Sequence, residues 1–202
     1  MIAIRPLCAL LLALCAAPTL AAPSLRDGDI IFHTSRSTQS AAIQRATHSP
    51  YSHMGVVLYR DGKPYVFEAI ATVRYTPLAT WIARGDGGRY AVRRLHRPLQ
   101  PAEVKKLREA AMTYAGKPYD LYFEWTNARI YCSELVWKMY RDATGLEIGS
   151  LQKLRELDLT DPAVKAKMRE RYGKDIPLEE RMISPAAMYE SELLKSVNVA
   201  GR

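Results

Sequence analysis

The stretch HMGVVLYRDGKPYVFEAI, residues 53–70, decides the fold, because it reads as two β-rich runs joined by a turn. Met54–Arg60 and Pro64–Ile70 flank Asp61-Gly62, a dipeptide suited to the positive backbone angles of a two-residue hairpin loop. That loop sets Arg60 opposite Lys63. His53 then faces Ile70, and Glu68 becomes a diagonal neighbour on the same side of the sheet. A slip of one residue would send Glu68 to the opposite face. Glu68 is an acidic residue in the otherwise apolar run YVFEAI, and a carboxylate placed there can orient the imidazole and stabilise its charged form. The competing account of Glu68 is a carboxylate satisfied by backbone or by a neighbouring arginine such as Arg74.

Working outward, DGDIIFH (Asp27 to His33) is a turn followed by a short strand, and STQSAAIQRAT has helical spacing through Ala42, Ile43 and Ala46. Beyond the hairpin, Thr76-Pro77 reads as the cap and first residue of a short helix, and GRYAVRRL returns to strand character. From Pro101, the residues Val104, Leu107, Ala111 and Tyr114 form a helical stripe closed by Gly116. An aromatic loop, GKPYDLYFEWTNAR, leads to YCSELVWKMY, whose Leu135, Val136, Met139 and Tyr140 share one helix face before a stop at Gly145. Asp161-Pro162 caps a charged helix ending near Gly173, and Ser184-Pro185 starts a short last one. Leu151, Leu154, Val164 and Met168 are too few for a second core, so the tail is expected to cover the main body. Strands first and helices later indicate an α+β architecture.

The first residues, MIAIRPLCALLLALCAAPTLAAPS, place Arg5 ahead of an apolar run from Leu7 to Ala17, the pattern of a secretory signal peptide. The run is too short for a membrane anchor, which needs about 20 apolar residues. Leu14 before Cys15 argues against lipoprotein processing. Cleavage after Ala21 leaves residues 22–202 as a single domain and implies export across the inner membrane to the periplasm. Formal net charge falls from +8 to +7 with the loss of Arg5, and the basic residues are scattered through segments such as RRLHR. That distribution fits a solvated surface or weak association with an anionic envelope surface, and nucleic acid is not an expected partner.

Of the three cysteines, cleavage removes Cys8 and Cys15, leaving Cys132 without a disulfide partner in an oxidising compartment. A lone thiol is commonly a buried small hydrophobe. This one falls in the first turn of its helix, where the partial positive charge of the helix end favours thiolate and the freed N–H groups can stabilise an oxyanion. A thiol nucleophile needs a base. His96 lies among cations, His48 precedes Ser-Pro in a loop, and His33 ends the first strand, where it could sit near a site. His53, held at a strand start, is the best placed.

GDIIFHTSRSTQSAAIQRATHSPYSHMGVV, YVFEAI, GKPYD and YCSELVWKMY together resemble the circularly permuted NlpC-type papain-like cysteine hydrolases, closely the YiiX/YebB-like branch, and the likeness extends through ERYGKDIPLEE and SPAAMY. The resemblance implies a permuted papain-like fold, with an antiparallel sheet carrying His and Glu packed against a helix with Cys at its N-terminus. It also implies catalytic roles for Cys132 as nucleophile, His53 as base and Glu68 as orienting residue, with Tyr131 and Tyr119 as substrate-positioning groups. The expected reaction is hydrolysis of an amide or peptide bond through a thioester, with a small peptide, amide or acyl substrate and cell-wall stem peptides as a candidate. Two rivals stand beside it: a lipid acyl hydrolase or acyltransferase using the same thiol, and an inactive cleft used for binding. Related acyl-lipid enzymes often carry a second histidine after the cysteine, where this chain has Ser133-Glu134, and a long apolar surface helix is missing. One cysteine with scattered histidines lacks paired-ligand spacing, so no metal and no cofactor are expected.

Overall fold

The computed structural model describes residues 24–198, so the expected signal peptide, residues 1–21, lies outside the described residues. The hairpin has the register its turn dictates. Strands β2 (His53–Arg60) and β3 (Lys63–Ala69) pair antiparallel, with Arg60 opposite Lys63 and Val56 opposite Phe67. Asp61 and Gly62 take φ of 49° and 72°, the left-handed conformation that a tight turn of this twist requires.

Four more strands extend the hairpin into a six-stranded antiparallel sheet: β1 (Ile30–His33), β4 (Val73–Pro77), β5 (Ala91–Leu95) and β8 (Leu194–Ser196), in the order β4-β3-β2-β1-β5-β8. His53 through Leu58 are all buried because both faces of the sheet are covered. On one face Met54, Val56 and Leu58 join a core with Leu135, Val136 and Met139 of α4 (Cys132–Thr144) and Leu107 of α3 (Pro101–Tyr114). On the other, Ile31, Val57 and Val66 pack on Trp81 of α2 (Leu78–Arg84). Side-chain alternation assigns His33, His53 and Glu68 to this second face.

The tail packs as a cover. Leu154, Val164 and Met168 belong to the main core, and α5 (Pro162–Tyr172) lies against α1 (Thr38–Thr47). A two-stranded sheet of β6 (Gln152–Lys153) and β7 (Arg181–Met182) and the short α6 (Pro185–Tyr189) complete it. Caps form as read from sequence: Asp161 accepts from Ala163 N, Ser184 from Ala187 N, and Gly145 ends α4 in the left-handed conformation.

One expectation fails. Thr76 does not cap a helix, because residues 73–77 form β4 on the sheet edge and α2 begins only at Leu78. The reason is chemical as well as topological: the Thr76 hydroxyl donates to Glu68 Oε1 at 2.5 Å and is not available to a helix end.

Candidate active site

Cys132 is the first residue of α4, and hydrogen bonds through Glu134 and Lys138 fix that helix start. The Tyr131 N–H donates to Glu134 Oε2 at 3.3 Å, and Lys138 Nζ donates to Glu134 Oε1 at 2.6 Å. Lys138 also donates to Thr126 O and Asn127 Oδ1, tying the preceding loop to the helix one turn further on. Burial pushes the Glu134 carboxyl up to about 7, against the pull of Lys138. Cys132 is itself buried, and among the described residues it has no disulfide partner.

Across from it, His53 Nε2 and Glu68 Oε2 are 2.6 Å apart, and the Cys132 side chain is near enough to the same imidazole to act on its charge. Burial opposes a charge on His53, but the hydrogen bonds to Cys132 and Glu68, with their charges, outweigh it and raise the imidazole to about 9. Glu68 is fully buried. Burial pushes its carboxyl up, yet the hydrogen bond and charge of His53, with Arg84 and Thr76 donating to Oε1, hold it at about 2. The arginine that satisfies Glu68 is thus Arg84, from α2. Arg74, the arginine named from sequence, lies directly opposite Glu68 in the β3–β4 register, yet its side chain is not the one that pairs with it.

Continued by one position, the register sets Gly55 opposite Glu68, and Gly55 is one of the residues that sequence reasoning missed. A Cβ there would lie 2.5 Å from Val66 Cγ1, 2.7 Å from the Phe67 carbonyl oxygen and 3.3 Å from Glu68 Cβ. The strand therefore needs a glycine so that Glu68 can lie across it to reach His53. The signal was present, since glycine inside a strand marks a close approach. Gly55→Ala is expected to destabilise the fold by about 1–3 kcal/mol through overpacking and to lower activity per folded molecule by shifting Glu68. Thermal melts and active-site titration check this, and a normal rate per folded molecule would deny Gly55 the clearance role.

The remaining residues divide. His48 is exposed and pairs with Asp158 at 3.2 Å, and His96 is exposed beyond β5, so neither belongs to the site. His33 does approach it: its ring stacks on Trp81 at 3.9 Å and lies 5.3 Å from the His53 ring. Tyr131 is buried, with its hydroxyl accepting the Ile183 N–H at 3.1 Å. The Tyr119 hydroxyl accepts from Gln39 Nε2 at 3.1 Å, and Gln39 Oε1 accepts from Arg171 at 3.1 Å. Burial first, and then the negative charge of Cys132, push the Tyr119 phenol up, so it stays protonated beside the thiol.

Two spaces meet at these groups. Cys132 opens on a narrow apolar slot of about 50 Å³, walled by Ala42, Ile43, Phe123, Leu154, Val164 and Met168. His53 opens on a wider polar cleft of about 440 Å³ that His33, Ser35, Arg36, Ser52 and Arg84 also line. Gln39, Ile43 and Tyr119 border both spaces and form the wall between them.

The comparisons with known proteins agree on the fold. A model described as permuted papain-like amidase enzyme, YaeF/YiiX, C92 family matches residues 24–198; the NlpC-type label belongs to a different subfamily. The chain is 53% identical over 172 residues to the uncharacterized protein YiiX of Escherichia coli (strain K12), covering 85% of each chain. A crystal structure described as that of metalloprotein yiiX from Escherichia coli O157:H7 superposes with a TM-score of 0.85 at 52% identity, covering 88% of this chain and 98% of that one. Among the described residues, no group of three or more His, Cys, Asp or Glu side chains could hold a metal ion. The described residues therefore do not fit a metal centre.

Proposed function

Because the chain belongs to the permuted papain-like amidases of the YaeF/YiiX, C92 family, we propose that it is a thiol hydrolase that cleaves an amide bond through Cys132, His53 and Glu68. The observation that carries this reading is the buried His53–Glu68 pair, its carboxylate held by Thr76 and Arg84, beside the buried Cys132 at the head of α4. In the proposed reaction the Cys132 thiolate adds to the carbonyl carbon, and the backbone N–H groups at the start of α4 receive the oxyanion. His53 donates its proton to the departing amine, and a thioester forms. The neutral imidazole then takes a proton from water. Hydroxide adds to the thioester, the C–S bond breaks to release the acid and the Cys132 thiolate, and the proton taken from water stays on His53.

The acyl group is best read from the slot. The surface that the slot presents beside Cys132 is mostly apolar, with Gln39, Lys167 and Arg171 also among its lining residues, so it suits an apolar chain better than the amide and carboxylate groups of a stem peptide. An aliphatic acyl chain has no such groups, and this favours an acyl-lipid amide or ester over the cell-wall peptide. Export to the periplasm and weak association with an anionic envelope surface belong to the same proposal, supported by the leader sequence and the net charge of +8.

The test incubates purified protein with muropeptides, lipoproteins, acylated phospholipids and N-octanoyl amides, comparing wild type with Cys132→Ala by mass spectrometry. Free carboxylic acid is expected from the acyl amides with wild type alone, unaffected by EDTA. Release that persists in Cys132→Ala, or activity lost to EDTA and restored by zinc, would sink the thiol mechanism. Cleavage confined to muropeptides would overturn the aliphatic assignment.

A further inference from the structure

The polar cleft contains a buried polar group that the proposed reaction does not use. His33 is 2% exposed, and its Nδ1 is a buried nitrogen with no hydrogen-bond partner among the described residues. Burial, then the charges of His53 and Arg84, with Glu68 opposing, lower this imidazole to about 3, so it is neutral and carries one ring proton. That proton has two possible seats. On Nδ1 it would be an N–H buried without an acceptor, against Gly85, where an added Cβ would lie 2.9 Å from the nitrogen. An unpaired buried donor is expensive, so the proton sits on Nε2. Stacking on Trp81, with an interplanar angle of 17°, fixes the ring plane, and His33 offers an oriented N–H donor to the cleft that it lines.

Arg36 converges on the same point. One of its guanidinium nitrogens donates to the Gly85 carbonyl at 3.2 Å, so Gly85 carries Arg36 on its oxygen and the His33 ring against its Cα. The other arginine of the cleft, Arg84, has its charge answered by Glu68, whereas the partner found for Arg36 is a neutral carbonyl. Among the described residues, no Asp or Glu lines the cleft. A cation with spare planar donors beside a fixed imidazole N–H matches the oxygens of a carboxylate or phosphate.

We infer that His33 and Arg36 form a recognition site for an anionic group on the amine side of the scissile bond. The inference deepens the amide-hydrolase reading, and on it the substrate class is an amide joining an aliphatic acyl group to an amine that bears a carboxylate or phosphate. The acyl part enters the slot at Cys132, the anionic amine lies in the cleft at His53, and hydrolysis yields the fatty acid and the anionic amine.

Binding without turnover tests it. In a Cys132→Ala background, isothermal titration compares N-octanoylglycine and N-octanoylphosphoethanolamine with the neutral N-octanoylglycinamide. At least one anionic ligand is expected to bind roughly tenfold or more tighter than the neutral one, the size of a charge-assisted contact. Which of the two binds tighter assigns carboxylate or phosphate. Adding Arg36→Met should reduce the ratio several-fold. His33→Phe, which keeps the stack on Trp81 but removes the donor, should reduce it as well, and His33→Gln should restore part of it. A ratio near one, no measurable binding of either anion, or a ratio unmoved by both Arg36→Met and His33→Phe overturns the inference. Failure of the underlying reading looks different: wild type would hydrolyse none of the three ligands while the binding ratio stood.

Discussion

Replacing Cys132 with serine is expected to lower turnover by on the order of 10⁴-fold or more, while Tm moves by less than about 5 °C. Serine fills nearly the same volume at the head of α4, so packing around this buried position survives. What disappears is the anion. A hydroxyl is not ionised by an imidazole in the way a thiol is, and without a thiolate the thioester cannot form. Steady-state rates, thermal melts and a mass-spectrometric search for the acyl adduct read the three parts separately. Substantial turnover by a natively folded Cys132→Ser would remove Cys132 from the nucleophile role.

Glu68→Ala is expected to lower activity by roughly 10²- to 10³-fold and to destabilise the protein by about 3 kcal/mol, with Glu68→Gln intermediate in rate. The alanine variant frees the imidazole to rotate and leaves Arg84 and Thr76 without their shared acceptor. The glutamine variant keeps a hydrogen bond to the ring but loses the charge that favours imidazolium. Since Arg84 is 35% exposed, water recovers part of its loss, and most of the destabilisation comes from His53. The pH dependence follows from the two shifts. Glu68 is held at about 2 against an ordinary 4.5, so its contribution is present above pH 4.5 and is lost as pH falls toward 2. His53 is raised from 6.5 to about 9, so its contribution is present below pH 6.5 and is lost as pH rises through 9. The stability gap between wild type and Glu68→Gln should therefore be widest and flat between pH 4.5 and 6.5. Denaturant titrations across pH 2–10 measure it, and a gap that widened toward alkaline pH would contradict the pairing.

Much of this geometry was legible because it is local. Asp61-Gly62 is a turn with one good conformation, and once it pairs Arg60 with Lys63, parity alone carries His53 and Glu68 to the same face. The start of α4 at Cys132 was equally readable, from the apolar spacing behind it and Gly145 ahead. The residues that complete the carboxylate were not. Arg84 reaches Glu68 only because α2 docks on that face of the sheet, a tertiary event that leaves no periodicity, whereas Arg74 was the arginine nearest in sequence. Thr76 misled for a related reason, since Thr-Pro favours a helix start in isolation and here a sheet edge and a buried acceptor claim the threonine. His33 reads from sequence as a strand end that could sit near a site, but its stack on Trp81 and its nitrogen without a partner among the described residues come from packing.

The wall of Gln39, Ile43 and Tyr119 gives the two halves of a substrate unequal exits. On the proposed mechanism, the amine departs through the open cleft while the acyl group stays enclosed as the thioester, so release is ordered and the kinetics are ping-pong. Water can reach that thioester only through the space the amine has just vacated. Any other amine that fits the cleft competes for the same approach, and at high concentration it would take the acyl group in place of water. Hydrolysis and transacylation then become two fates of one intermediate, partitioned by what next enters beside His53.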